Sequence, residues 1–240
     1  MSRVRVLLHA VEKPRPCSYL PGETASLEVK YLLGVEPAEL EAMLARGWRR
    51  FGLSYFRPAC AACHECVPLR VPVATFAPSR SQRRAAKACA DLRVEVGPVQ
   101  LDDARLALYA KWHADREDAR GWDAMPLDAK TYTEEFALPI AGAREVTYWD
   151  DDRLVAVGLC DETPGAWSAI YFFYDPAEAR RSLGAFHIQT LVALARSRGQ
   201  SHVYLGYRIE RCPSMAYKAK FTPHELLEGR PSDDEAPRWR

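Results

Sequence analysis

No stretch of the 240 residues approaches the ~20 consecutive apolar residues that a membrane helix requires, which excludes a spanning segment. The opening MSRVRVLLHAVEKPRP has too short an apolar part and lacks a small-residue cleavage site, so no signal peptide is read. The compartment expected is the cytoplasm. Net charge is nearly missing too: 33 Lys and Arg face 32 Asp and Glu, leaving +1 and no overall field to draw a polyanion. Seven cysteines are an odd number, and in a reducing compartment they are not a disulfide framework. Internal repeats and low-complexity tracts are absent. What remains is an ordinary globular composition, 48% apolar and 27% charged, long enough for one large domain or two small ones.

The charge is balanced overall but unevenly placed. Between Arg46 and Arg84 stand eight arginines (46, 49, 50, 57, 70, 80, 83 and 84), and the single acid is Glu65. Trp48, Phe51, Tyr55, Phe56 and Phe76 lie among them. Arginine interleaved with aromatics suits phosphate contacts and base stacking, so a polyanion-facing surface is expected here.

Residues 4–9 and 26–33 read as strands, separated by a Pro-rich loop (12–23) that holds Cys17. Pro37 opens a helix that Gly47 stops. Residues 51–73 are strand-like at both ends, with a cysteine cluster between them. Ser79 or Ser81 can cap a basic helix over about 81–91. A strand (92–96), a helix (101–119) and a polar stretch (120–130) follow. The segments 146–149 and 154–161 flank DDDR as a hairpin. A third strand (167–176), an amphipathic helix (182–199) and a strong strand (202–209) complete the order, and a tail from Ser232 is expected to be mobile.

Three strands, a glycine-containing turn, a helix and a strand, in that order from residue 146, resemble the core of the GNAT acetyltransferases. In that family the turn and the helix N-terminus cradle a pyrophosphate. Here Arg181-Ser182-Leu183-Gly184-Ala185-Phe186 follows the pattern up to its last position, where Phe186 replaces a small residue. The expected fold is therefore α/β (α+β): a cysteine-bearing, Arg-rich region over 1–98, a GNAT-like transferase domain over 99–230 and a tail over 231–240. CoA is not expected to take part, because a bulky Phe186 should block the close backbone approach.

Cys60-x-x-Cys63-x-x-Cys66 puts three thiols within seven residues, a spacing that lets a turn aim thiolates at one ion. Zn or an Fe–S cluster is one reading, with Cys17 as fourth ligand or His64 in its place. The other is thiols packed as small hydrophobes. Cys89, Cys160 and Cys212 are expected in the core.

PCSYLPGE (16–23), GWRRFGLSYFRPAC (47–60), CVPLRV (66–71) and SMAYKAKFTPHELL (214–227) together resemble the aminoacyl-tRNA–protein transferases, above all the bacterial aspartate/glutamate leucyltransferases. The resemblance runs from about residue 5 to 228. It implies transfer of an amino acid from its tRNA to a protein beginning with Asp or Glu, marking that protein for N-degron proteolysis. The partners implied are Leu-tRNA and such acceptor proteins, with arginine as the alternative donor amino acid. Eukaryotic relatives carry C-x-x-C where this chain has Cys17-Ser18-Tyr19-Leu20.

Such a transfer needs no cofactor. The donor is an activated ester, and an α-amine with a pKa near ~7.7–8 is partly neutral at cytoplasmic pH. Positioning and oxyanion stabilisation are enough. Tyr217 and Lys218 match the family's Y-K dipeptide, the tyrosine as an orienting group and the lysine as carboxylate or oxyanion partner. Tyr207 faces the same cleft or packs in the core. His187 and Asp175 are candidates for handling protons. Arg80, Arg83, Arg84, Arg49 and Arg50 are expected to meet tRNA. Two other classes are a CoA-dependent N-acetyltransferase and a non-catalytic nucleic-acid-binding module.

Overall fold

The computed structural model describes residues 4–120 and 128–240. The first half runs β1 (Arg5–Val11), β2 (Arg15–Pro16), β3 (Thr24–Ala25), β4 (Leu27–Leu33), α1 (Pro37–Ala45), β5 (Arg49–Phe51), β6 (Ser54–Pro58), β7 (Val67–Pro72), α2 (Arg80–Ala88), β8 (Arg93–Gly97) and α3 (Asp103–Arg120). The second runs α4 (Ala129–Tyr132), β9 (Ala143–Asp150), β10 (Arg153–Glu162), β11 (Ala166–Tyr174), α5 (Leu183–Ser197), β12 (His202–Arg208), α6 (Pro213–Ala216) and β13 (Glu225–Leu226). A 3-10 turn, Tyr217–Lys220, follows α6 directly. Most of the polar stretch read at 120–130 lies outside the described residues.

Seven strands form the central sheet, in the order β13-β7-β12-β11-β10-β9-β8. The register makes β11 and β12 parallel, and the other neighbours are antiparallel. A parallel pair needs a crossover, and α5 supplies it. This is the GNAT-like order expected from residue 146 onward. The sheet also takes β7 and β8 from before residue 98, so the expected boundary there falls within continuous strand pairing. A second, four-stranded sheet runs β1-β4-β6-β5.

Both faces of the central sheet are covered. Leu183, Ile188, Leu191, Val192 and Ala195 of α5 pack on Val155, Trp167, Val203 and Leu205. On the other face Leu108, Tyr109 and Trp112 of α3 pack on Leu154, Val157, Leu159 and Phe173. That is why β10 is a continuous apolar run rather than an alternating one: its residues from Leu154 to Asp161 are all buried. Trp48, Leu40, Leu44 and Tyr55 form a third core where α1 meets the smaller sheet.

The basic helix begins at a reciprocal cap. Ser79 Oγ accepts the Gln82 N–H at 3.3 Å, and Gln82 Oε1 accepts the Ser79 N–H at 2.7 Å. Residues 232–236 of the tail are exposed, and its last two residues make contacts with the rest of the chain. Leu226 and Arg240 exchange backbone hydrogen bonds at 2.8 and 3.1 Å. Trp239 donates its indole N–H to Ala45 O at 3.1 Å, and the Arg70 guanidinium lies 4.3 Å from the Trp239 ring centroid.

Candidate active site

The parallel pair stays together for only three residues: Ala166, Trp167 and Ser168 face His202, Val203 and Tyr204. Beyond Ser168 the strands part. The gap is a cleft of about 120 Å³ lined by Ala169, Ile170, Tyr171 and Phe172 of β11, Leu205 of β12, Gly184, His187 and Ile188 of α5, and Tyr217 and Lys218. Its lining mixes aliphatic and aromatic side chains with His187 and Lys218 and contains no carboxylate. The Phe186 ring beside the turn is half-buried and packs edge-on against Tyr148, with centroids 5.6 Å apart.

Tyr217 and Lys218 of the Y-K dipeptide line this cleft. Tyr217 is 40% exposed. Lys218 reaches inward and donates its ammonium to Tyr207 O at 3.0 Å. Burial, and next the positive charge of Arg49, push its pKa down to about 7. Tyr207 resolves to the core. Its side chain is buried, and its hydroxyl donates to Gly47 O at 2.9 Å and Phe56 O at 3.3 Å. It contributes a backbone carbonyl to the site rather than a phenol.

His187 forms part of the cleft wall and is 2% exposed. Its Nδ1 shares a 2.8 Å hydrogen bond with Tyr148 Oη, and burial pushes its pKa down to about 3. It is a neutral, packed imidazole. Asp175 is structural. It accepts the Ala177 N–H at 3.0 Å and pairs with Lys111 at 2.7 Å and Arg153 at 3.3 Å. Burial alone would raise its pKa, but the Lys111 and Ala177 hydrogen bonds hold it below the usual range.

The arginine stretch divides in two. Arg49 and Arg50 are 7% and 3% exposed, so they offer no surface to a polyanion, contrary to the expectation. Arg50 donates Nε–H to both Asp161 oxygens, at 3.0 and 3.1 Å. Arg57 pairs with Glu28 at 2.7 Å, and Arg70 with Glu225 at 2.7 Å. Trp48, Tyr55 and Phe76 are buried as well, so they form no stacking platform. Arg80, Arg83, Arg84 and Lys87 on α2 are exposed, and among the described residues none of them forms an ion pair. This helix adjoins the cleft. Gln82 donates its side-chain N–H to Lys220 O at 3.1 Å, in the turn that carries Tyr217 and Lys218.

Cys17, Cys63 and Cys66 pack around Leu20, Tyr207, Ile209 and Cys212. Burial and then the neighbouring Cys60, Cys17 and Cys63 push the Cys66 thiol up to about 12, so it is protonated. Cys17 Sγ accepts the Tyr19 N–H at 3.4 Å, and Cys60 Sγ lies 3.6 Å from Ser26 O. Among the described residues no group of three or more His, Cys, Asp or Glu side chains is arranged to hold a metal ion. The thiols, as placed, do not fit Zn or a cluster. His64 instead borders a separate cavity of about 180 Å³ with Arg46, Arg57, Cys66 and Arg230.

Two family models match the chain: arginine-tRNA-protein transferase, N terminus, over residues 15–84, and its C terminus over 104–228. The chain is 31% identical over 237 residues to an aspartate/glutamate leucyltransferase of Helicobacter hepaticus, covering 97% of each protein. A protein of the same name from Pseudomonas fluorescens is 36% identical over 230 residues, covering 95% of this chain and 96% of the relative. Among solved structures, a C-terminal domain (DUF2156) from Agrobacterium fabrum shares the fold. Its TM-score is 0.50 at 14% identity, over 73% of this chain and 59% of that one. Among the described residues no helix is long and apolar enough to cross a membrane. With both family models matched and relatives above 30% identity over nearly its whole length, the chain belongs to the arginine-tRNA-protein transferase family.

Proposed function

We propose that this protein transfers leucine from Leu-tRNA to the N-terminal Asp or Glu of acceptor proteins in the cytoplasm, marking them for N-degron proteolysis. The observation that carries the choice of donor is the cleft lining. Ala169, Ile170, Ile188 and Leu205 suit an aliphatic side chain, and no lining carboxylate is there to meet a guanidinium. Burying an unpaired arginine in such a place is costly, so leucine is favoured over arginine. The names of the curated relatives support the same donor and acceptors.

The reaction then needs positioning more than chemistry. The tRNA ester is already activated: the neutral acceptor amine attacks its carbonyl to give a tetrahedral oxyanion, which collapses to the amide as the ester C–O bond breaks, the tRNA ribose hydroxyl leaving with the proton that the amine gives up. Beyond Ser168 the backbone of β11 has no β12 partner, so its edge can offer N–H donors at the cleft. Tyr217 at the rim orients the reacting groups. The exposed cations of α2, joined through Gln82 to the Tyr217–Lys220 turn, lie where the tRNA end would approach.

The test supplies purified protein with labelled Leu-tRNA or Arg-tRNA and peptides beginning Asp, Glu, Lys or Ala. Leucine should pass to the Asp and Glu peptides alone. Arginine transfer in place of leucine, or acetylation from acetyl-CoA, would overturn the reading.

A further inference from the structure

We infer that the cavity bordered by Arg46, Arg57, His64 and Arg230 is a binding site for a doubly charged phosphate group, either free orthophosphate or a phosphomonoester.

The cavity lies where the two sheets meet. Val67 and Pro68 come from β7 of the central sheet, Arg57 and Pro58 from β6 of the smaller one, and Arg46 and Gly47 from just past α1. Leu227, Gly229 and Arg230 close it from the segment after β13. Among the described residues it shares no lining residue with the reaction cleft. A Cβ on Gly47, at φ +87, would stand 3.0 Å from Pro68 Cγ and 3.1 Å from Leu227 Cδ2. Only glycine lets the chain after Arg46 lie this close to the cavity wall.

Three guanidinium groups and an imidazole border about 180 Å³, and among the described residues no carboxylate lines it. Arg57 is already neutralised: its Nε–H donates to Glu28 at 2.7 Å and its Nη1–H to Pro231 O at 2.6 Å. Arg46 and Arg230 are not, since among the described residues neither forms an ion pair. Arg46 donates Nη1–H to Ala42 O at 3.1 Å, and its Nε is buried with no acceptor. Arg230 is aimed by two carbonyls, Nη1–H donating to Cys60 O at 2.9 Å and Nη2–H to Cys63 O at 2.7 Å. Carbonyls position a guanidinium without cancelling its charge. Asp233 senses the excess. Burial alone would raise its pKa, but its hydrogen bond to Lys30, then the charges of Lys30, Arg57 and Arg46, hold it below the usual range. Its ion pair is with Lys30, at 2.5 Å, and not with Arg46 or Arg57.

Two unneutralised arginines call for two negative charges. A carboxylate or an internal phosphodiester carries one, whereas a phosphomonoester carries close to two at pH 7. Guanidinium forks match its oxygens in bidentate pairs. Pro58, Val67, Pro68 and Leu227 form an apolar wall beside those bonds, and a drier surrounding strengthens them. His64, exposed at the border, adds an N–H donor.

The experiment titrates inorganic phosphate calorimetrically into the full-length protein at fixed ionic strength, with sodium chloride as the balancing salt. One saturable equivalent is expected. Arg46→Gln and Arg230→Gln should each weaken it on the order of 10-fold, the loss of one charge-assisted hydrogen bond. Arg230 is exposed, so its variant tests the site even where Arg46→Gln fails to fold. The Arg83→Ala, Arg84→Ala protein should bind phosphate as the parent does, because no residue of α2 lines the cavity. Absence of saturable binding overturns the proposal, as does equal affinity in the parent and the two glutamine variants. A loss confined to the α2 double variant overturns it too, by moving the phosphate to that helix.

Two matched tRNAs, one ending in a 5′-phosphate and one in a 5′-hydroxyl, separate the sources. If the site takes the tRNA end, the phosphorylated form binds the parent more tightly, phosphate competes with it, and the advantage vanishes in Arg230→Gln. Equal binding of the two tRNAs, beside saturable phosphate binding, assigns the site to the free anion.

Discussion

The imidazole of His187 stands where a side chain at position 158 would be: a Cβ on Gly158 would lie 2.0 Å from His187 Cε1. Gly158 sits mid-strand in β10, opposite Phe172 on one side and Val146 on the other. The ring stacks on Phe172, with centroids 4.6 Å apart and planes at 15°, and is bonded to Tyr148. A missing side chain on the sheet thus sets how closely α5 approaches the cleft wall.

Gly158→Ala should therefore destabilise the protein. The atom it meets is a buried ring rather than the end of a flexible chain, so the cost should reach or exceed the ~1–3 kcal/mol usual for overpacking. Urea unfolding of the two proteins reads it directly. An unchanged midpoint would show that the ring has room to shift.

His187 also predicts acid sensitivity. Its pKa falls from 6.5 to about 3 because burial disfavours the charged ring. The unfolded chain therefore binds the proton first. The stability His187 contributes is complete above about pH 6.5 and is lost progressively as the pH falls toward 3. One such group adds about 1.4 kcal/mol per pH unit to the slope within that window. His187→Gln keeps a hydrogen-bonding side chain without the titration. Its unfolding free energy should vary less steeply between pH 6 and 4, and parallel curves would sink the assignment.

The elements were largely legible because their cues are local. The cap at Ser79, Pro37 at the start of α1 and the two periods of apolar residues act within a few positions. The arginine stretch misleads for the opposite reason. Its acid deficit is made good from elsewhere in the chain: Asp161 for Arg50, Glu28 for Arg57 and Glu225 for Arg70. A sequence window cannot see those partners. Tyr207 is hidden in the same way, since Gly47 and Phe56 accept its hydroxyl from the other sheet. Tyr217 and Lys218 were reached through a family dipeptide. The apolar lining beside them was missed, because alternation along β11 and β12 does not say where two strands part. Gly206 within β12 was the one available signal, an interior glycine at the irregularity in its pairing with β7.

The four cations of α2 give the last prediction, and the buried Arg50 is its control. Arg83 and Arg84 are exposed, and Arg83 donates Nη1–H to Pro78 O at 2.6 Å, a bond that ties the side chain to the residue before the helix cap and neutralises nothing. If this face meets tRNA, each phosphate contact releases counterions. Removing one should flatten the slope of log affinity against log salt by roughly 0.7–0.9. The Arg83→Ala, Arg84→Ala protein should bind Leu-tRNA more weakly at low salt, with a shallower slope. Its preference among acceptor peptides should not change, since phosphate contacts position the tRNA and carry no acceptor information. Arg50→Ala should do the reverse. It strands Asp161 as an unpaired buried carboxylate, so stability should fall by about 3–5 kcal/mol. The folded fraction, identified by its cooperative unfolding, should keep the parental salt slope. Superimposed lines for the double variant and the parent would remove α2 from the tRNA path. A flattened slope for Arg50→Ala would return that arginine to it.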